Sequence, residues 1–310
     1  MNMATMQSID WKACTIAVVG GDEREQEIVR LAAATGATVR AYGFPWPTAG
    51  VEGVHHAASA KEALAGANFA LFPIPGISAE GALFAPAAPA PIVPDQQLLA
   101  GMAPGAHIIL GWADSRLKAA AGALGIGLHE YEWDQDLMYL RGPAIVEGLL
   151  RVVIENTRIT IHNATVCIVG QGTIGGLLTR TLVGLGAHVH VAARNPVQRA
   201  AAYATGAVGH ELQELPGLAP RLDMLFSTVP HQIVGADVLQ KLPAHCLVVD
   251  LAAPPGGIDL ALAKDFGLTA VWARGLGRRA PITVGASQWS GIRRRIEALR
   301  RPGEGQPSGR

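Results

Sequence analysis

The stretch that decides the fold is VCIVGQGTIGGLLTRTLVGLGAHVHVAARN, residues 166–195. An apolar, β-branched run leads into the loop GQGTIG, residues 170–175, a helical segment follows, and a second apolar run ends at Arg194. A strand, a G-x-G-x-x-G turn and a helix in this order are typical of a dinucleotide-binding unit. The stretch therefore predicts a Rossmann-like α/β domain.

Each residue type in this loop has its own reason to be there. Gly170 permits the tight turn, Gly172 lets the backbone approach a pyrophosphate, and Gly175 lets the helix pack close to the strand. The amide groups at the start of the helix, at Thr173 and Ile174, would face the phosphates along the helix dipole. We expect all five residues to bind the dinucleotide.

Arg194 stands 24 residues after the first glycine of the loop, near the spacing of about twenty at which such folds read the ribose of the cofactor. An acidic residue there would accept hydrogen bonds from the 2′-hydroxyl of NAD and repel the 2′-phosphate of NADP. A guanidinium offers that phosphate paired donors and a positive charge, and Asn195 adds another donor. These residues favour NADP, although NAD is also possible.

The composition excludes several function classes. The 310 residues are enough for two domains, and 25 basic residues balance 25 acidic ones. This neutrality argues against nucleic acid or a membrane surface as the partner and favours a small ligand. We expect no metal site, because no His, Cys or Asp grouping has ligand spacing. The oligomeric state stays open, and a homo-oligomer is possible.

The three cysteines, Cys14, Cys167 and Cys246, form no C-x-x-C pair and lie in or beside apolar runs. We interpret them as buried small hydrophobes in a reducing compartment. The N-terminus carries no signal-peptide pattern, and the apolar segments are too short to span a membrane. These features favour the cytoplasm.

Two series of alternating strands and helices predict two Rossmann-like, doubly wound parallel-sheet domains with a cleft between them. The first series lies in residues 1–142 and is expected to be a substrate or cap domain. Its Gly20-Gly21-Asp22 turn lacks the third glycine and begins with acidic residues that would repel a pyrophosphate. The second series lies in residues 143–286 and is expected to be the NADP-binding domain. It begins with a connecting helix, 143–158, that has Pro143 in its first turn. A C-terminal helix, 287–301, and a disordered tail, 302–310, are predicted to follow.

Several segments together resemble the A subunit of dipicolinate synthase from spore-forming bacteria. They are GGDEREQEIVRLAAATGATVRAYGF, ALFPIPG, the stretch around GQGTIG, and DLAAPPGGIDLALAKDFGLTAVWARGLG, within residues 11–298. The resemblance implies NADP-dependent oxidation of a dihydrodipicolinate-type intermediate to dipicolinate, a sporulation branch from lysine biosynthesis, with a flavoprotein-like B subunit as partner. The chain departs from the family at Ala253-Pro254 and Ile282, where basic residues are usual, which leaves the exact substrate open.

Candidate residues for the chemistry lie at the ends of the predicted strands. The dicarboxylate substrate needs cations, and the candidates are Arg141, Arg278 and Arg279, with Gly76 in a loop that would face the substrate. His231, or alternatively Glu147, would take the proton that accompanies hydride transfer. The nicotinamide would be lined by Thr228, Val229, Pro230 and Ala252.

Two other interpretations remain open. A 2-hydroxyacid-type dehydrogenase shares the architecture, but its usual Arg, Glu and His set cannot be assembled from this sequence. A non-catalytic NADP-binding subunit would keep the fold and lose the reaction. Turnover separates that subunit from both enzymes.

Overall fold

A computed structural model describes residues 9–300 of the chain. Within that range the chain forms two compact units. The first comprises residues 9–137 and 280–300, and the second comprises residues 138–279. Each unit contains one sheet.

The first unit is built on a six-stranded parallel sheet. Its strands are β1 (Thr15–Val19), β2 (Thr38–Tyr42), β3 (Val54–His56), β4 (Phe69–Leu71), β5 (His107–Leu110) and β6 (Gly127–Glu130). Its first helices are α1 (Glu23–Ala33), α2 (Ala60–Leu64), α3 (Gln96–Leu99) and α4 (Ser115–Ala123). The strand order β3-β2-β1-β4-β5-β6 is that of a Rossmann sheet. The order reverses between β1 and β4, and ligands of such sheets bind outside the carboxyl ends of the strands at that point.

Helix α5 (Gln135–Asn156) carries the chain into the second unit. It begins eight residues before the predicted connecting helix, so Pro143 lies inside the helix and not in its first turn. A proline there removes the hydrogen bond to the carbonyl four residues earlier. That carbonyl belongs to Tyr139, whose residue is exposed, so solvent reaches this turn. The predicted helix start at Pro143 is therefore wrong; it relied on the preference of proline for the first turn of a helix.

The second unit repeats the same architecture. Its strands are β7 (Thr165–Val169), β8 (His188–Ala192), β9 (Val208–His210), β10 (Met224–Ser227), β11 (Leu247–Asp250) and β12 (Thr269–Trp272). Its helices are α6 (Thr173–Gly184), α7 (Pro196–Ala204), α8 (Leu215–Leu218), α9 (Ala236–Leu239) and α10 (Leu260–Asp265). The order is β9-β8-β7-β10-β11-β12, again all parallel. The prediction of two Rossmann-like α/β domains is therefore confirmed.

The last helix, α11 (Pro281–Arg300), starts six residues before the predicted one and belongs to the first unit. Its residues Trp289, Ile292 and Ile296 pack into the core on one face of the first sheet. The tail predicted to be disordered, 302–310, lies outside the described residues. All three cysteines are buried free thiols, as expected.

Candidate functional site

The glycine loop after β7 has the geometry that a dinucleotide-binding G-x-G-x-x-G turn requires. Gly170 has a φ of 95°, and a Cβ on it would lie 2.6 Å from Val229 Cγ2. A Cβ on Gly175 would lie 2.2 Å from the Gly170 carbonyl oxygen, so only glycine allows this close packing of α6 on the loop. A Cβ on Gly172 would meet nothing within 4 Å. Space is therefore open where a pyrophosphate would approach.

Helix α6 begins at this open position without a side-chain cap. Gly172 is its N-cap residue and supplies no side-chain hydrogen bond. Thr173 and Ile174 form the first turn and are half-buried. A helix N-terminus carries partial positive charge, which favours a phosphate at this end of the helix.

The loop after β10 is fastened to the glycine loop. The hydroxyl of Thr228 donates to the carbonyl of Val169 at 3.2 Å and lies 3.4 Å from that of Gly170. Val229 packs against Gly170, and Pro230 and His231, which follow it in the chain, are exposed. The structure thus brings Thr228 and Val229, two of the residues predicted to line the nicotinamide, beside the glycine loop.

Arg194 follows β8 and is exposed. Its guanidinium has no hydrogen-bond or ion-pair partner among residues 9–300. The Arg199 guanidinium donates to the carbonyls of Ala193 and Arg194 at 2.9 and 3.0 Å and pairs with Glu211 at 3.1 Å. Asn195 is the N-cap of α7, and its side-chain oxygen accepts from Val197 N at 2.8 Å. Arg199 therefore holds the loop that presents Arg194 to solvent.

Asp250, which the sequence reasoning passed over, organises the loop after β11. The side chain is buried and accepts hydrogen bonds from the amides of Ala252, Gly257 and Ile258 at 2.9, 2.6 and 3.0 Å. The Ala252 carbonyl accepts from Trp272 Nε1 at 3.0 Å. The position of Ala252 thus depends on a buried carboxylate whose role shows only in the folded loop.

Two candidates that were predicted separately are partners in the second unit. Glu147 on α5 accepts a hydrogen bond from the guanidinium of Arg279, in the turn after β12. Arg278 lies in the same turn, and Arg141 is buried on α5. His231 is exposed after β10. The alternative base and one of the proposed substrate cations therefore form a direct ion pair.

Gly76 lies in the loop after β4 of the first unit and is buried. Its φ is 68°, and a Cβ there would lie 2.6 Å from the carbonyl oxygen of Trp112. The amide of Phe84 donates to the Gly76 carbonyl at 3.3 Å, and the amide of Gly21 donates to that of Phe84 at 2.7 Å. The close packing against Trp112 therefore requires glycine at position 76. The hydrogen bonds through Phe84 link this loop to the loop after β1.

The start of α1 contains buried charges that the sequence reasoning did not select. Asp22 caps the helix and pairs with Arg24 at 2.7 Å, and both are buried. The Glu25 carboxylate accepts from Asp22 N at 2.7 Å and fills the space beside Gly21, where a Cβ would lie 2.1 Å from Glu25 Cδ. Burial raises the pKa of Glu25 to about 7, against the lowering effect of Arg24. This helix start is thus filled by the chain's own carboxylates.

Comparison with known proteins gives the family. Residues 15–132 match the family model for the N-terminal domain of the dipicolinate synthase A subunit. The chain is 30% identical over 272 residues to the A subunit of dipicolinate synthase from Bacillus subtilis (strain 168), covering 87% of this chain and 91% of the relative. The chain belongs to the family of dipicolinate synthase A subunits.

Solved structures of the family share this fold. The A subunit from Bacillus halodurans superimposes with a TM-score of 0.83 at 26% identity, over 93% of this chain and 98% of that one. Its counterpart from Bacillus subtilis gives 0.81 at 27% identity, over 92% and 96%. The fold also matches a transhydrogenase from Sinorhizobium meliloti, with a TM-score of 0.69 at 15% identity, over 92% and 94%.

Residues 153–254 match the NAD-binding domain of D-isomer specific 2-hydroxyacid dehydrogenases. The second unit of this family member is therefore a dehydrogenase-type domain for a nicotinamide cofactor. Within residues 9–300, no helix has the length and apolar character needed to cross a bilayer. In the same range, no three His, Cys, Asp or Glu side chains are grouped to hold a metal ion.

Proposed function

We propose that the chain is an NADP-dependent oxidoreductase that oxidises a dihydrodipicolinate-type intermediate to dipicolinate, in sporulation, on a branch from lysine biosynthesis. The glycine loop at Gly170–Gly175, in a chain 30% identical to the A subunit of a dipicolinate synthase, carries this proposal. The reaction removes one hydride and one proton from a partly reduced ring. The cofactor, when bound, accepts the hydride.

Support for NADP comes from Arg194. The guanidinium is exposed and unpaired in the part of the chain that the structure describes, and Arg199 fixes the loop beneath it. A 2′-phosphate would gain charge-assisted hydrogen bonds there, whereas a 2′-hydroxyl would gain little from the charge. The Asn195 oxygen is used in the helix cap, so its amide nitrogen is the donor left for the phosphate.

The remaining residues of the second unit supply binding and proton transfer. The amides at Thr173 and Ile174 take the pyrophosphate, and Thr228, Val229, Pro230 and Ala252 line the nicotinamide. His231 takes the proton released with the hydride, because it is exposed beside this lining and histidine is the side chain that most often serves as a general base. Glu147, the alternative base, is paired with Arg279, which favours a positioning role for it.

The substrate carboxylates need cations, and Arg141, Arg278 and Arg279 are proposed to bind them. In the first unit, proposed to be the substrate or cap domain, Gly76 shapes the loop that faces the substrate. The Bacillus subtilis relative is by name the A subunit of its enzyme, so we also propose a B subunit as partner.

A non-catalytic NADP-binding subunit is the second candidate. The loop after β11 presents Ala253 and Pro254, which are exposed, and Ile282 is exposed at the start of α11. These positions lack the cations that the family resemblance implies. A 2-hydroxyacid dehydrogenase is a third candidate, tested by supplying 2-hydroxy acids to the same assay.

The deciding experiment follows the absorbance of reduced nicotinamide. Purified chain receives NADP or NAD together with the product mixture of a dihydrodipicolinate-forming aldolase. We expect absorbance to grow with NADP and dipicolinate to form in equal amount. If the chain binds NADP but the absorbance does not increase, with or without a B subunit, the result would support the non-catalytic subunit and reject the oxidoreductase.

A further inference from the structure

A cavity of about 390 Å³ lies in the second unit, at the amino ends of three of its strands. Thr165 and His188 begin β7 and β8, and Gly206 and Val208 lie at the start of β9. The glycine loop follows the opposite end of β7, which has five residues. Five strand residues span roughly 16 Å. This cavity is therefore separate from the dinucleotide loop.

Three side chains that can carry positive charge line the cavity, and no acidic residue lines it. They are His188, His190 and Arg221. Arg221 and His188 are exposed, and their side chains have no hydrogen-bond or ion-pair partner among the described residues.

His190 is backed by a chain of polar groups that leads away from the cavity. Its Nδ1 lies 2.9 Å from His210 Nε2, and His210 Nδ1 lies 3.7 Å from a carboxylate oxygen of Glu214. The Nε2 atom of His190 is left without a partner in the described range. When His190 carries a second proton, Nε2 becomes a donor while His210 and Glu214 share the charge.

The carboxylate of Asp223, which contacts the lining residue Thr165, is already engaged. One oxygen of Asp223 accepts from the amide of Thr165 at 2.8 Å, and the other lies 3.0 Å from His245 Nε2. Burial lowers the pKa of His190, and the positive charges of His210 and Arg221 lower it further. An added negative charge in the cavity would oppose that lowering.

We propose that this cavity is a second ligand site, which binds a small oxyanion, either a phosphate group or a carboxylate, on Arg221, His188 and His190. The site lies beyond the proposed oxidoreductase function, because it requires neither cofactor nor substrate. Arg221 supplies the permanent charge and the paired donors that such anions prefer. His190 takes up a proton as the anion binds, so affinity rises as the pH falls.

Calorimetric titration of the full chain with inorganic phosphate, and separately with dipicolinate, tests this site. Arg221→Gln should weaken binding at least about tenfold, the scale of one charge-assisted contact. Arg180→Gln, another exposed arginine without a partner in the described range, is the matched control. Arg194→Gln separates this site from the dinucleotide site, and phosphate binding to the cavity should survive it. The two titrants distinguish a phosphate ligand from a carboxylate ligand.

The proposed proton uptake is tested by following the NMR signals of the histidine side chains as the pH is varied. Saturating phosphate should raise the titration midpoint of His190, and Arg221→Gln should abolish that rise. Binding that Arg221→Gln leaves unchanged, or no binding of either anion by the unaltered chain between about pH 5 and 8, would overturn the proposal. Loss of dehydrogenase activity bears on neither result, so the site stands or falls independently of the proposed reaction.

Discussion

The carboxylate of Glu147 and the guanidinium of Arg279 are hydrogen-bonded partners, although 131 residues of sequence stand between them. Glu147 projects from α5, and Arg279 closes the turn after β12. The pair neutralises the charge of each group and fixes the direction of the arginine. A carboxylate so engaged is suited to positioning the arginine.

Glu147→Gln should therefore act through Arg279. We expect the substrate KM to rise several-fold to about tenfold, the scale of a charged hydrogen bond, with the pH profile of kcat unchanged. The double variant with Arg279→Gln should be no worse than Arg279→Gln alone, because the two residues act as a unit. Glu155→Gln breaks a similar pair with Arg151 on the same helix and is the control. Loss of the acidic limb of the pH profile, where activity falls as a base becomes protonated, would instead make Glu147 the base.

Arg194→Asp should reverse the cofactor preference. The variant loses the contacts to the 2′-phosphate and gains repulsion, so NADP affinity should fall about a hundredfold, or roughly 3 kcal/mol. NAD affinity should hold or improve. Arg158→Asp, at another exposed arginine of the second unit, controls for net charge. Fluorescence titration of both reduced cofactors measures the effect, and equal losses for the two would contradict the assignment.

The glycines of the loop separate binding from folding. Gly172→Ala should fold normally, since a Cβ there meets nothing within 4 Å, yet its methyl group would obstruct the pyrophosphate and weaken dinucleotide binding. Gly175→Ala should destabilise the second unit, because its Cβ would lie 2.2 Å from the Gly170 carbonyl oxygen. Gly176→Ala has open space inside α6 and should stabilise by up to about 1 kcal/mol. Thermal unfolding and cofactor titration of the three variants test this; full NADP affinity in Gly172→Ala would reject the loop as the pyrophosphate site.

The sequence was sufficient for the parts of the fold that local pattern determines. Buried parallel strands such as β7 and β8 are continuous apolar runs, and the glycine loop between β7 and α6 has strict residue requirements. The edge strands β3 and β9 could not be predicted, because their sequences, VHH and VGH, are too short and polar to show a strand pattern. The predicted start of α5 was wrong because prolines prefer the first turn of a helix, whereas Pro143 lies inside this one, where tertiary context overrides that preference.

The candidate site was predictable only where backbone chemistry defines it. Gly170 and Gly175 could be selected from sequence because each has a steric reason. Asp250 and Glu25 could not, because their roles depend on amides and space that the folded loops bring to them. A capping pattern, Asp22 followed by Glu25, was the one available signal for the second of these.

Glu25 should make the stability of the first unit depend on pH. Its folded pKa of about 7 lies above the ordinary value of 4.5, so the folded state holds the proton more tightly than the unfolded state. The resulting stabilisation is fully present below about 4.5 and is lost as the pH rises through about 7. Glu25→Gln keeps an oxygen to accept from Asp22 N and cannot titrate, so it should gain on the unaltered chain by up to about 3 kcal/mol between pH 5 and 8.

Urea unfolding of both proteins at the two pH values measures that gain. Glu23→Gln is the matched control, because Glu23 lies in the same first turn of α1 and is exposed. Its stability difference from the unaltered chain should not change with pH. A Glu25→Gln difference that is equally independent of pH would mean that the buried carboxyl remains ionised beside Arg24. In that case Glu25 would be a fixed charge of the helix start, unable to exchange a proton near neutral pH.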